Sequence, residues 1–97
     1  MSLTNYAKFC DRGDFRWSPT DCNHLRVFEE ECTYKGEGCS AIIRSQPDGY
    51  DIEIDNLQHE PMYICAERKS RKSAREFVER VIRNDRDGDW EKNLKYQ

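Results

Sequence analysis

The most regular stretch of the chain is Tyr50-Asp51-Ile52-Glu53-Ile54-Asp55, where polar and apolar side chains alternate without a break. A period of two predicts a strand with one buried face and one wet face. Upstream, Leu25–Tyr34 (with Val27, Phe28, Cys32, Thr33 and Tyr34) and Cys39–Ser45 (with Ala41, Ile42 and Ile43) also read as strands. Lys35-Gly36-Glu37-Gly38 and Gln46-Pro47-Asp48-Gly49 separate them. In the second turn Pro47 presets φ, Asp48 suits the next position, and Gly49 takes the positive φ that follows. A fourth short strand, Met62–Ala66, is expected after the Asn56–Pro61 connection.

The period changes to 3.6 further on. Ala74, Phe77, Val78, Val81 and Ile82 form one apolar stripe, which predicts a helix over 70–86. Ser73 with Glu76 has the form of a capping box, and Ser70 offers a cap one turn earlier. Glu76–Arg80 and Glu79–Arg83 are favourable i,i+4 pairs, and Asn84–Gly88 should end the helix. Leu3, Tyr6, Ala7 and Cys10 have helical spacing, so a short N-terminal helix is expected over 3–12, stopped by Gly13. Residues 13–24 have loop chemistry, with Phe15 and Trp17 as plugs onto the core. The tail, 87–97, either packs Trp90 and Leu94 onto the sheet or frays. The expected fold is α+β: an antiparallel meander of three to four strands (25–66), packed by the C-terminal amphipathic helix, with the short N-terminal helix beside it.

Length and composition narrow the function. Ninety-seven residues, 36% apolar or aromatic, suffice for one domain spanning 1–97. No apolar run approaches a membrane span and no secretory leader is visible, so a cytoplasmic protein is expected, in the host cytoplasm if phage-encoded. Nucleophile-elbow, P-loop and dinucleotide motifs are missing. His59-Glu60 begins like a zinc-protease motif, but Tyr63 occupies the second histidine position. Asp85–Asp89 has a calcium-loop look, yet aligning Gly88 puts Arg83 and Leu94 at ligand positions. Cys10, Cys22, Cys32, Cys39 and Cys65 are odd in number and irregularly spaced, which suits reduced thiols. Cys22, His24, Cys32 and Cys39 are soft ligands, but they lack a Cys-x-x-Cys knuckle. Cys10 and Cys65 read as small buried side chains, and Cys32 and Cys39 as neighbours across a hairpin. The expectation is a non-enzymatic protein without metal or cofactor.

Charge is segregated. The net charge of −3 divides into −6 over residues 1–66 and +3 over residues 67–97. Arg68, Lys69, Arg71, Lys72 and Arg75 crowd the helix start, where cations oppose the macrodipole. Such a cluster can hold phosphates. Ser70-Arg71-Lys72-Ser73-Ala74-Arg75 resembles the start of the last helix of double-stranded-RNA-binding domains. That resemblance implies phosphate contacts from the serine, the bases and the alanine-flanked arginine.

The opposing signal is acidic. Asp51, Glu53 and Asp55 share one strand face, with i and i+2 carboxylates roughly 6–7 Å apart. Glu29 and Glu31 extend the row if the strands align. A ladder of this kind imitates successive phosphates and fits a cationic groove. Two functions therefore stand. In the first, the chain is a protein-binding inhibitor or adaptor, similar in type to phage anti-defence and anti-CRISPR proteins, whose partner is a nucleic-acid-processing complex. In the second, the basic helix start binds RNA or DNA. The acid excess favours the first. A homodimer through an edge strand or an exposed aromatic is a further expectation.

Overall fold

Strand alternation reaches further towards the N-terminus than the turn-forming residues suggest. The computed structural model describes residues 10–20 and 28–96, with Cys39 described by its backbone alone, and these residues form a six-stranded sheet. The strands are β1 (Cys10–Arg12), β2 (Phe15–Pro19), β3 (Glu29–Tyr34), β4 (Cys39–Gln46), β5 (Gly49–Ile54) and β6 (Ile64–Arg68). Each pairs antiparallel with its sequence neighbour, so the order across the sheet is the order along the chain. The helix α1 (Arg71–Arg86) and a 3-10 helix (Trp90–Tyr96) follow. The class, the antiparallel meander and the C-terminal helix agree with the sequence pattern.

The strand number does not. Six strands replace the expected three to four, because Phe15 and Trp17 are not plugs in a loop. They are the inward residues of β2, alternating with exposed Arg16 and half-buried Ser18. Gly13 does not stop a helix either; with φ +69° it belongs to the turn joining β1 to β2. Most of the expected N-terminal helix lies at residues 1–9, outside the described residues, and its last three positions are β1. Residues 21–27, including Cys22 and His24, also lie outside. Phe15 and Trp17 are buried, so neither is available as an exposed dimer contact.

The core lies between the sheet and α1. Phe15, Trp17, Cys32, Ala41, Ile43, Ile52, Ile54 and Ile64 face Ala74, Phe77, Val78, Val81 and Ile82, all essentially inaccessible. Each fully buried large apolar side chain contributes about 1.5–3 kcal/mol, and the strictly alternating parity of the strands places them together. Ser70, not Ser73, caps the helix: its hydroxyl accepts the Ser73 N–H at 3.1 Å. At the far end Asp85, inaccessible to solvent, accepts the backbone N–H groups of Gln58 and His59, each at 2.8 Å. This fixes the β5–β6 connection to α1, and the His59 ring stacks on Trp90. The tail is held differently from the expectation. Buried Asn93 donates to the Val81 carbonyl at 3.0 Å and Tyr96 meets Phe77 edge-on, whereas Leu94 is exposed.

Gly49 is the residue the β4–β5 turn cannot exchange. Its φ is +154°, and a Cβ there would come within 2.5 Å of the Arg68 carbonyl oxygen on β6. Gly49→Ala should destabilise the fold by about 1–3 kcal/mol, read as a lower urea midpoint with an unchanged m-value.

Candidate partner-binding face

Alternation assigns every strand residue to one of two faces. Glu30, Cys32 and Tyr34 of β3 face α1, so Glu29, Glu31 and Thr33 face away from it. Register then builds two rows across the outer face. In the first, Glu31 lies opposite Ile42, Ile42 opposite Glu53, and Glu53 opposite Cys65. In the second, Glu29 lies opposite Arg44, Arg44 opposite Asp51, and Asp51 opposite Glu67. No described helix packs on this side. The expected acidic residues Glu29, Glu31, Asp51 and Glu53 thus do share one face of the sheet.

They are not equivalent. Glu29 is buried: Arg44 holds its Oε2, with Nη2 at 2.6 Å, and the Thr20 hydroxyl donates to its Oε1 at 2.6 Å. It is therefore a structural carboxylate and leaves the presented set. Arg44 also stands 3.8 Å from Glu53, so one guanidinium partly offsets the centre of the face. Asp51 accepts from Gln46 Nε2 at 2.7 Å. Asp55 is exposed but lies past the end of β5, its N–H bonded to the Ser40 carbonyl, so it extends the row only in sequence. Glu31 has no ion-pair partner among the described residues.

Two members escape a sequence reading. Glu67 lies beyond the expected Met62–Ala66 strand, whereas β6 runs to Arg68 and sets Glu67 directly against Asp51. Cys65, expected inside, is exposed, because β6 turns Ile64 and Ala66 towards α1. Its thiol lies 3.0 Å from the Tyr63 hydroxyl, which in turn donates to Glu53 at 3.2 Å. The contact with Cys65, partial burial and the Glu53 carboxylate all disfavour a phenolate and push Tyr63 up to about 12.

The basic cluster divides as well. Glu30, 1% exposed, accepts from both Arg75 (2.6 and 2.8 Å) and Arg71 (3.0 and 3.2 Å). Both guanidiniums engage it with two nitrogens, the strong geometry for a carboxylate. The Arg75 side chain is only 12% exposed and lies over Trp17, while Arg71 lies over Phe28. Arg68 covers Phe77 and donates to the Glu67 carbonyl at 2.6 Å. Lys69 and Lys72 are exposed. The helix start has no acid in its first turn because Glu30 supplies the compensating charge from β3. Of the five cations, Arg71 and Arg75 are therefore engaged by a carboxylate of the same molecule.

Several of the remaining acids hold elements of the fold together. Asp85 secures the 58–59 backbone, Asp87 is the C-cap of α1, and Glu79 accepts from Arg12 at 2.6 Å and the Trp17 indole at 2.8 Å. Among the described residues no group of three or more His, Cys, Asp or Glu is placed to hold a metal ion. Comparison with protein-family models, curated proteins and solved structures returned no match.

Burial pushes the Glu30 carboxyl up, but the hydrogen bonds from Arg75 and then Arg71 outweigh it and hold its pKa below the ordinary value. A lowered native value means the stabilisation is complete above the ordinary glutamate value of 4.5 and fades as pH falls through the native one. Glu30→Gln should cost about 3–5 kcal/mol at pH 7, since it leaves Arg75 buried without its counter-charge. In urea titrations the variant should also lose part of the wild-type decline in stability below pH 4.5.

Proposed function

We propose that this chain is a non-enzymatic protein-binding module, an inhibitor or adaptor, whose sheet face opposite α1, covered by no described helix, occupies a basic, nucleic-acid-binding surface of its partner. The observation that carries the reading is the register of β5 on β6. Asp51 and Glu67 stand directly opposite each other, with Glu53 two residues along and Glu31 two strands away. Like charges directly opposed across two strands destabilise a sheet, and a cation from outside relieves them. A folded chain that keeps this arrangement on the sheet face opposite α1 gains from a positively charged partner. The same field speeds encounter with it.

In type the chain is similar to phage anti-defence proteins, anti-CRISPR proteins among them, and in this reading its carboxylates stand where phosphates would. Arg44 reduces the charge at the centre of the face, so the reading rests on Glu31, Asp51, Glu53 and Glu67 and no longer on Glu29. The alternative, phosphate binding by the helix start, is weakened by the engagement of Arg71 and Arg75 with Glu30. No helix among the described residues is long and apolar enough to cross a membrane, and the reading requires none.

The test is affinity capture of a nucleic-acid enzyme from a cell lysate, repeated at rising salt. The captured enzyme should be released by Asp51→Lys with Glu53→Lys, and released progressively as the screening length falls from about 10 Å at 0.1 M salt to about 3 Å at 1 M. Micromolar binding of RNA or DNA to the chain itself, abolished by Lys69→Glu with Lys72→Glu, would overturn the reading.

A further inference from the structure

Among the described residues β6 is the last strand of the sheet, and its backbone shows which of its groups no described strand pairs. A Cβ on Gly49 would meet the Arg68 carbonyl oxygen at 2.5 Å, so that oxygen points towards β5. Backbone groups alternate in direction along a strand. The N–H and C=O groups of Glu67 and Cys65 therefore point away from β5, into the open edge. The Glu67 carbonyl confirms the parity: it is met at 2.6 Å by the guanidinium of Arg68, not by β5, so an added strand takes this acceptor over from the Arg68 side chain. No other described strand pairs with this edge.

The same parity makes Asp51–Glu67 and Glu53–Cys65 the non-hydrogen-bonded pairs, in which side chains approach most closely. A shallow cleft runs over this seam, lined by Asp51, Glu53, Cys65 and Glu67 on the face opposite α1. The open backbone edge therefore belongs to Cys65 and Glu67, whose side chains lie beside Glu53 and Asp51 of β5 on the same face.

We infer that the open edge of β6 is a strand-addition site for an extended cationic segment, one with Lys or Arg at alternate positions. Its backbone pairs with Cys65 and Glu67 while its alternate side chains reach Glu67, Asp51 and Glu53. Main-chain bonds supply affinity in this mode and alternate side chains supply specificity. Charge also decides between occupants. A second copy paired edge to edge would set Glu67 and its neighbouring acids against the same acids of the other copy, whereas a cationic strand neutralises them. The inference rests on the reading of the acidic face as the partner surface, and adds that the partner enters as a strand.

The probe is a synthetic peptide alternating Lys with Val, compared with an analogue N-methylated at alternate residues, which has equal charge but cannot donate to the edge. We expect the plain peptide to bind by fluorescence anisotropy at 50 mM salt, about tenfold or more weaker after N-methylation in one of the two registers, and about tenfold or more weaker to Glu67→Lys. Equal binding of plain and both methylated peptides would overturn strand addition while leaving the acidic face as the contact surface. No binding of either peptide overturns it too, and the captured enzyme then tests the face by itself. Sedimentation showing a dimer of the chain alone, abolished by Cys65→Pro, which removes an outward N–H of the edge, would assign the edge to a second copy and also overturn it.

Discussion

The fold turns on a carboxylate enclosed between two guanidiniums. Glu30 sits in the middle of the sheet, opposite Pro19 of β2 and Ile43 of β4, and it is almost fully removed from water. An isolated charge there would cost several kcal/mol in lost hydration. Arg75 and Arg71, one helical turn apart, approach it with paired nitrogens, and in doing so fix both the height and the rotation of α1 over β3. Apolar packing alone tolerates sliding; a pair of forks on one carboxylate does not. Glu79 repeats the device between α1 and the first two strands, and Asp85 repeats it between α1 and the β5–β6 connection. Three buried acids thus hold the helix to the N-terminal edge, the centre and the C-terminal connection of the sheet.

This arrangement separates the charges of the protein by purpose. On the helix side, acids are matched by Arg12, Arg71, Arg75 and Arg86 from the same molecule. On the other side Arg44 has more acids around it than it can balance: it holds Glu29 tightly and reaches Glu53 only at 3.8 Å. The segregation seen along the sequence is therefore not the segregation in space. Much of the positive excess after residue 67 serves the interior acids, and the negative excess of the sheet remains on the face opposite α1.

Much of this was legible beforehand. The alternation from Tyr50 to Asp55, the Pro47-Asp48-Gly49 turn and the 3.6-residue stripe of α1 are local signals, and each gave its element within a residue or two. The N-terminal hairpin was obscured because Gly13, Asp14, Ser18 and Pro19 mask the alternation of Phe15 and Trp17. The run Glu29-Glu30-Glu31 looks uniform, yet Glu30 shares parity with Cys32 and Tyr34. Together with arginines spaced i and i+4 at 71 and 75, that parity was a signal for a buried ion pair. Glu67 had no such signal, since its place on the face depends on the register of β6, which is set by pairing and not by composition.

A sheet threaded in strict chain order also has a kinetic meaning. Every ladder from β1 to β6 joins strands consecutive in the chain, and so requires closure of only a modest loop. The long excursions belong to the helix: Arg71 and Arg75 reach back 41 and 45 residues to Glu30, and Glu79 reaches back 67 to Arg12. Hairpins can therefore zip up one after another while the chain is still emerging from the ribosome. The final commitment to the native state waits for the last third of the polypeptide, when α1 settles and its arginines find the acid already enclosed on one side.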